Sequence, residues 1–208
     1  MIAFDVFWLF FAASLALGAA PGPDNLFVLT QSALYGRMAG VVVTLGLCTG
    51  LLVHTAAVAI GVAGIFQTSA LAFTLLKACG AAYLVYLAYR AWTAGAAELE
   101  ADRPGRLPFG ALYRRGIVMN ITNPKVAIFF LAFLPQFADP ARGPVVVQIV
   151  LFGAIFIVAT VLVFGAVAIG AGTLGPILQR TPFAQKLMNR IAAVIFAGLA
   201  ARLLLTQR

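Results

Sequence analysis

The sequence predicts an all-α integral membrane fold: six transmembrane helices as two inverted three-helix repeats, with helices one and four broken or kinked at proline. Three observations predict it. Hydrophobic residues make up 63% of the 208 residues and charged residues only 10%, against about 45–50% and about 25% in soluble domains. A mean hydropathy of +1.04 over the whole length means that the apolar residues are not gathered in one anchor. A proline followed by a charge occurs twice inside long apolar runs, at Pro23-Asp24 and at Pro124-Lys125. At roughly 20 residues per spanning helix, plus loops, such a chain holds about six spans, with no room for a soluble catalytic domain. A β-barrel would need alternating segments of about 10 residues, and these runs are continuous.

The first run lies between Asp5 and Arg37 and holds one charge, Asp24. Residues 6–20 resemble the apolar core of a signal peptide, but Asp5 precedes them without any Lys or Arg, and the run continues past Ala20; it reads as a retained span. From Met38 to Leu76 there is no charge, too long for one helix, and Gly61, Gly64 and Gln67-Thr68-Ser69 divide it near 65–69. A third span follows from Ala70 to Trp92. Residues 93–110, with Glu98, Glu100, Asp102, Arg103 and Arg106 among Gly and Pro, read as a linker between repeat one (1–92) and repeat two (111–208). Span four runs from Gly116 to Ala138, span five from the 139–144 turn to Gly172, and span six ends near Leu205.

Net charge is +8, which in a soluble protein would suggest nucleic acid. Arg114-Arg115 is the longest basic run, too sparse for that, and membrane proteins gather Lys and Arg in cytoplasmic loops. Loops 1–2, 3–4 and 5–6 carry nine basic residues, while the opposite side has Arg142, Arg202 and Arg208. The odd-numbered loops and the linker are therefore expected inside and both termini outside.

Aligning Pro23 with Pro124 pairs Asp24 with Lys125. The next loop charges, Arg37 and Asp139, follow after 13 and 14 residues. That is roughly 20 Å of helix, so both charges fall well within a hydrocarbon core about 30 Å thick. Three spans per half force the halves into opposite orientation, the design of many secondary transporters, whose sites lie where interrupted helices meet. Proline removes a backbone donor and clashes with the preceding turn, so Pro21-Gly22-Pro23 and Pro124 are the expected breaks. Intramembrane charges are costly and usually functional, which favours a site there over two lipid-facing kinks.

Asp24, the only carboxylate within a span, suits a substrate ammonium group, a proton, or neutralisation of Lys125. Lys125 suits a substrate carboxylate, and together the two charges suit a zwitterion. Asn25, Asn120, Thr122 and Asn123 suit either a substrate or the capping of broken helix ends. His54 follows Gly46 and Gly50 on a small-residue face; it is a candidate proton carrier, though packing against a neighbour's backbone is the plainer reading. Gly36-xxx-Gly40 and Gly46-xxx-Gly50 serve packing within a subunit or in a homodimer equally well. Cys48 and Cys79 are expected to be packed in apolar surroundings. No metal-binding motif or cofactor is indicated.

The segments PGPDNLFVLTQSALYGRMAG, LKACGAAYLVYLAYRAW and NITNPKVAIFFLAFLPQF closely resemble the LysE/RhtB amino-acid exporter family, and the resemblance covers essentially the whole chain. It implies a bacterial cytoplasmic-membrane exporter of amino acids or close derivatives, driven by the proton gradient. The family's PGP-D-N positions fall on Pro21, Gly22, Pro23, Asp24 and Asn25, and its N-P-K positions on Asn123, Pro124 and Lys125. A single intramembrane acid argues against a dibasic substrate. The alternatives are a small-cation or metal exporter on the same scaffold, and a thiol–disulfide relay through Cys48 and Cys79. Hydrolysis has only His54 to recruit, so an enzyme is not expected.

Overall fold

A computed structural model describes residues 2–20, 22–68, 70–93, 107–171 and 182–205. All its regular structure is helical, with no strand among the described residues. In chain order the helices are α1 (Phe4–Ala19), α2 (Pro23–Tyr35), α3 (Arg37–Thr68), α4 (Ala70–Thr93), α5 (Phe109–Ile121) and α6 (Pro124–Ile128). The chain continues without a gap through a π-helical turn (Phe129–Phe133) and a 3-10 turn (Leu134–Phe137), then a short 3-10 turn (Pro140–Arg142), α7 (Val145–Gly170) and α8 (Pro182–Leu205).

Arg37–Gly61 and Val145–Gly170 are each long and apolar enough to cross a membrane. Two further candidates are bent pairs. α1 meets α2 at 62°, and Phe109–Thr122 meets Pro124–Phe137 at 51°. Counting each pair as one span gives four among the described residues.

The bends fall where proline predicts them. Pro23 and Pro124 each occupy the first turn of the segment that restarts, where a missing N–H costs nothing and the fixed φ suits a helix. Pro21 lies outside the described residues, as do 94–106 of the expected linker and the 172–181 loop. Helix α5 corrects the expected start of span four. It begins at Phe109, not Gly116, because Pro108 takes the extended N-cap position. The Arg114-Arg115 pair therefore rides on a helix, and the Arg115 guanidinium lies 4.5 Å from the centre of the Phe27 ring.

Packing follows small residues. Lipid is as apolar as a leucine side chain, so helices associate through close contact rather than water exclusion. A Cβ on Gly46 would lie 3.1 Å from Gly116 Cα and run into the Tyr113 carbonyl; one on Gly50 would lie 2.7 Å from Asn120 Cβ. A Cβ on Gly153 in α7 would collide with Thr55 of α3. These glycines bring α5 and α7 against α3 within one subunit. Gly36 supplies a φ of +87° at the turn from α2 to α3, a conformation that favours glycine. Helix α4 packs mainly on α8, and α1 on α7.

The larger core is aromatic. Phe10, Phe129, Phe133, Phe137, Phe152 and Phe156 are all buried, with neighbouring ring centroids 4.7 to 6.0 Å apart. A smaller core of Val28, Val43, Leu47, Leu112 and Phe164 lies around α2. Outside these, Trp8, Leu52, Ile60, Val158, Leu162 and Ile169 are exposed, as expected of faces turned to acyl chains.

Candidate functional site

The site is assembled from two broken helix ends. At the end of α1 the backbone turns extended at Ala20, and its last carbonyls lose their helical partners. Buried in a membrane, such groups must be satisfied by protein or a wet cavity. Side chains from across the break do this. Lys125 Nζ donates to the Leu17 and Ala20 carbonyls, each at 3.0 Å, and Asn25 Nδ2 donates to the Gly18 carbonyl at 2.7 Å. A cation at a helix C-terminus is also favoured by the helix dipole. Gly22 makes room for it: a Cβ there would stand 3.3 Å from Nζ.

The restarting segments carry the opposite ends. Gly22 precedes α2 in extended backbone, and the Leu26 N–H closes the first turn on its carbonyl at 3.1 Å. Asp24 falls in this first turn, where a carboxylate complements the dipole. Asn123 caps α6 by accepting the Lys125 N–H on Oδ1 at 3.0 Å, the role that favours Asn before a helix.

Asp24 is buried, with 3% of its surface exposed. Asn123 and Asn120 stand beside it, and Lys125 and His54 lie within electrostatic reach. Asp24 Oδ1, Asn120 Oδ1, Asn25 Oδ1 and Asn123 Nδ2 are buried without a hydrogen-bond partner. Three of these four atoms are acceptors, one of them on a carboxylate. The fourth, Asn123 Nδ2, is a donor, and the Asn123 and Asn120 side chains are hydrogen-bonding neighbours of the Asp24 carboxylate; the acceptors in excess are chemically suited to a group carrying N–H bonds.

The structure thus gathers Asp24, Asn25, Asn120, Asn123 and Lys125, with Gly22, Pro23 and Pro124 shaping the two breaks. It does not join the two charges directly. Lys125 is turned to the α1 carbonyls, and neither residue takes part in an ion pair with the other. His54 Nε2 donates to the Asn120 carbonyl at 3.1 Å, and its ring centroid lies 5.6 Å from that of Phe130; it is a packed histidine that ties α3 to the end of α5.

Sequence reasoning missed Gln31, which is buried with Oε1 unpartnered. It stands seven residues after Asp24 on the buried face of α2, and that helical spacing is the signal that marks it. Cys79 corrects another expectation. It is exposed, and Cys48 only partly buried, both as free thiols. On a helix bordered by lipid, apolar composition does not mean that a face is turned inward.

The family model for the LysE type translocator matches residues 14–207 of this chain. The chain belongs to the LysE family. Among its LysE relatives, the homoserine/homoserine lactone efflux protein of Salmonella typhimurium is 33% identical over 206 residues, covering 96% of each chain. The leucine efflux protein of Salmonella choleraesuis is 25% identical over 198 residues, covering 95% of this chain and 93% of the relative. A protein of Vibrio cholerae described as an uncharacterized membrane protein is 33% identical over 192 residues, covering 92% and 93%. No solved structure matches the chain. The protein is accordingly a membrane transporter and not an enzyme.

Proposed function

We propose that this LysE-family protein is a secondary-active exporter of amino acids or close derivatives across the bacterial cytoplasmic membrane, working by alternating access and proton antiport. The carrying observation is the buried Asp24 carboxylate, with unpartnered amide oxygens beside it, where two broken helices meet. The relatives are named for homoserine, its lactone and leucine. Each is a small molecule with one ammonium group and an uncharged side chain, which fits a site with a single carboxylate.

In this reading the substrate ammonium group lies against Asp24, within reach of Asn120 and Asn25, while Asn123 and Lys125 form the facing wall. A proton arriving from outside neutralises Asp24. Two unit charges about 4 Å apart at an effective dielectric of about 20 attract by about 4 kcal/mol. Losing that attraction weakens binding by roughly a thousandfold, enough to release substrate outward. Deprotonation toward the cytoplasm restores the site. His54 stands within electrostatic reach of Asp24 and is a second candidate for the proton, but its hydrogen bond to Asn120 favours Asp24 as the carrier.

The same proposal includes six spans in two inverted repeats, with both termini outside. The two bends of 62° and 51°, each followed by Pro and then a charge, support it, and so does the pairing of α3 with α7 and of α4 with α8. These are the counterpart helices of the two halves. Against the metal-exporter alternative, no three His, Cys, Asp or Glu side chains converge among the described residues.

The test is efflux from proteoliposomes loaded with a mixture of the proteinogenic amino acids, with and without an inward proton gradient. One or a few amino acids should leave selectively, faster with the gradient, and Asp24→Asn should lose proton-driven net efflux. Full proton-driven efflux by that variant overturns the coupling. Retention of every amino acid by inserted, folded protein overturns the substrate class.

A further inference from the structure

Helix α2 packs chiefly on α3 and α7, so its side toward α5 is the less tightly sealed one. A side-chain pair crosses there, the Arg115 guanidinium over the Phe27 ring at 4.5 Å. Phe27 stands one helical turn after Asp24, and Arg115 stands five residues before Asn120, about 7.5 Å along the axis. Asn120 is itself a hydrogen-bonding neighbour of the Asp24 carboxylate. The helix registers agree, since Gly46 of α3 meets Gly116 and Gly40 meets Ser32, which sets Phe27 and Arg115 at one level near Leu45. The pair therefore lies just beyond the Asp24–Asn120 contact, toward the end of α2 at Tyr35 and the start of α5 at Phe109. Both ends border loops expected inside.

Arg115 pairs with no carboxylate among the described residues. Its side chain is exposed six residues after the start of α5, and a charge at that depth is costly unless water or an anion reaches it. Gln31 is a second sign of a wet approach. Asp24, Phe27 and Gln31 follow at steps of three and four on one face of α2, and Gln31 is buried with Oε1 unpartnered. Lys125 is already engaged by two α1 carbonyls, whereas Arg115 faces a ring, a weaker partner than a carboxylate.

We propose that Arg115 receives the substrate carboxylate on the cytoplasmic approach to Asp24, and that its stacking on Phe27 closes this approach until a carboxylate draws the guanidinium off the ring. This rests on the amino-acid export reading and on the inward placement of the loop between α2 and α3. The exchange runs in that direction because a guanidinium binds a carboxylate through two parallel N–H bonds. Arg115 makes the first contact and Asp24 the second, so the two charges of the substrate are engaged in sequence.

The experiment is competition inside proteoliposomes. The labelled probe is the amino acid that leaves the mixed-load vesicles, loaded together with its unlabelled form or its primary amide, which keeps the ammonium group and lacks the carboxylate. On the unmodified protein the amide should compete about tenfold to a hundredfold more weakly than the acid, the range of a hydrogen bond to a charged group. In Arg115→Gln the acid should weaken to within about threefold of the amide, since the cycle isolates the contact between carboxylate and Arg115. Phe27→Leu should act in reverse. By releasing the guanidinium it should strengthen the acid about twofold to fivefold, the range of an exposed cation–π contact, and leave the amide unchanged. A purely structural Arg115 weakens acid and amide alike, and that result overturns the inference. So does an acid–amide gap that Arg115→Gln leaves in place, or no gap in the unmodified protein. Where Arg115→Gln does not fold, Phe27→Leu decides, and an acid that competes no better overturns the inference. If no amino acid leaves vesicles of the unmodified protein, the export reading fails first and takes this inference with it.

Discussion

Replacing Gly46 by alanine tests whether α3 and α5 touch through their backbones. The new methyl carbon would lie 3.1 Å from Gly116 Cα and from Ile117 N, and closer still to the Tyr113 carbonyl oxygen. Carbon atoms rest about 3.5–4.0 Å apart, so the helices must part by about 0.5–1 Å. Overpacking of this kind costs about 1–3 kcal/mol, and the upper end applies because no rotamer change can move a backbone atom aside. Alanine returns about 0.5–1 kcal/mol through helix propensity. The net loss is about 2 kcal/mol, a fall in Tm of about 4–8 °C for a chain of this size. Gly165 in α7 is the matched control, since a Cβ there meets nothing within 4 Å, and Gly165→Ala should hold or raise stability. Purified protein in detergent, heated in steps and assayed for its remaining monodisperse fraction, gives both midpoints. A Gly46→Ala midpoint equal to or above that of Gly165→Ala would refute the backbone contact.

Two further outcomes are expected. Gln148 accepts the Asp139 N–H at 3.0 Å and donates to the Asp139 and Gly143 carbonyls at 2.8 and 3.0 Å, clamping the turn before α7. Gln148→Leu should cost about 1–3 kcal/mol and raise hydrogen exchange at 139–143 while leaving α3 protected; unchanged exchange there would show that the clamp is idle. His54→Phe removes the donor to the Asn120 carbonyl and should also cost about 1–3 kcal/mol. Efflux should remain proton-driven, because Asp24 is the proposed proton carrier, and loss of the response to the proton gradient would transfer that role to the histidine.

What was legible in the sequence is what local chemistry dictates. Proline removes a backbone donor and clashes with the preceding turn, so a break or kink before Pro23 and before Pro124 was legible from Gly22-Pro23 and Asn123-Pro124 alone. Asn123 as a cap followed in the same way, since Asn accepts from the backbone two residues on. The partner of Lys125 was not legible, because the carbonyls it meets lie more than 100 residues earlier and a carbonyl has no sequence signature. The outward turn of Cys79 was hidden for a different reason. In a helix with lipid on one side and protein on the other, both faces are apolar, and the 3.6-residue period that separates inside from outside in a soluble protein carries little contrast. The π-helical turn at 129–133 likewise has no composition that announces it.

The glycine contact between α3 and α5 bears on how such a molecule can change shape. Those two helices come from different halves of the chain, yet they touch through backbone at Gly46 and Gly116 and are tied again by His54 to Asn120. Helices α4 and α8, also from different halves, pack together as a second pair. A rocking motion that separated the sequence halves would have to tear both seams at once. The mechanical bodies are thus drawn across the gene order: a frame of α3, α5 and α7 on one side and the α4–α8 pair on the other. The slack left for movement lies in the short non-helical links at Ala20, Gly22 and Thr122-Asn123, which border Asp24 and Lys125 themselves.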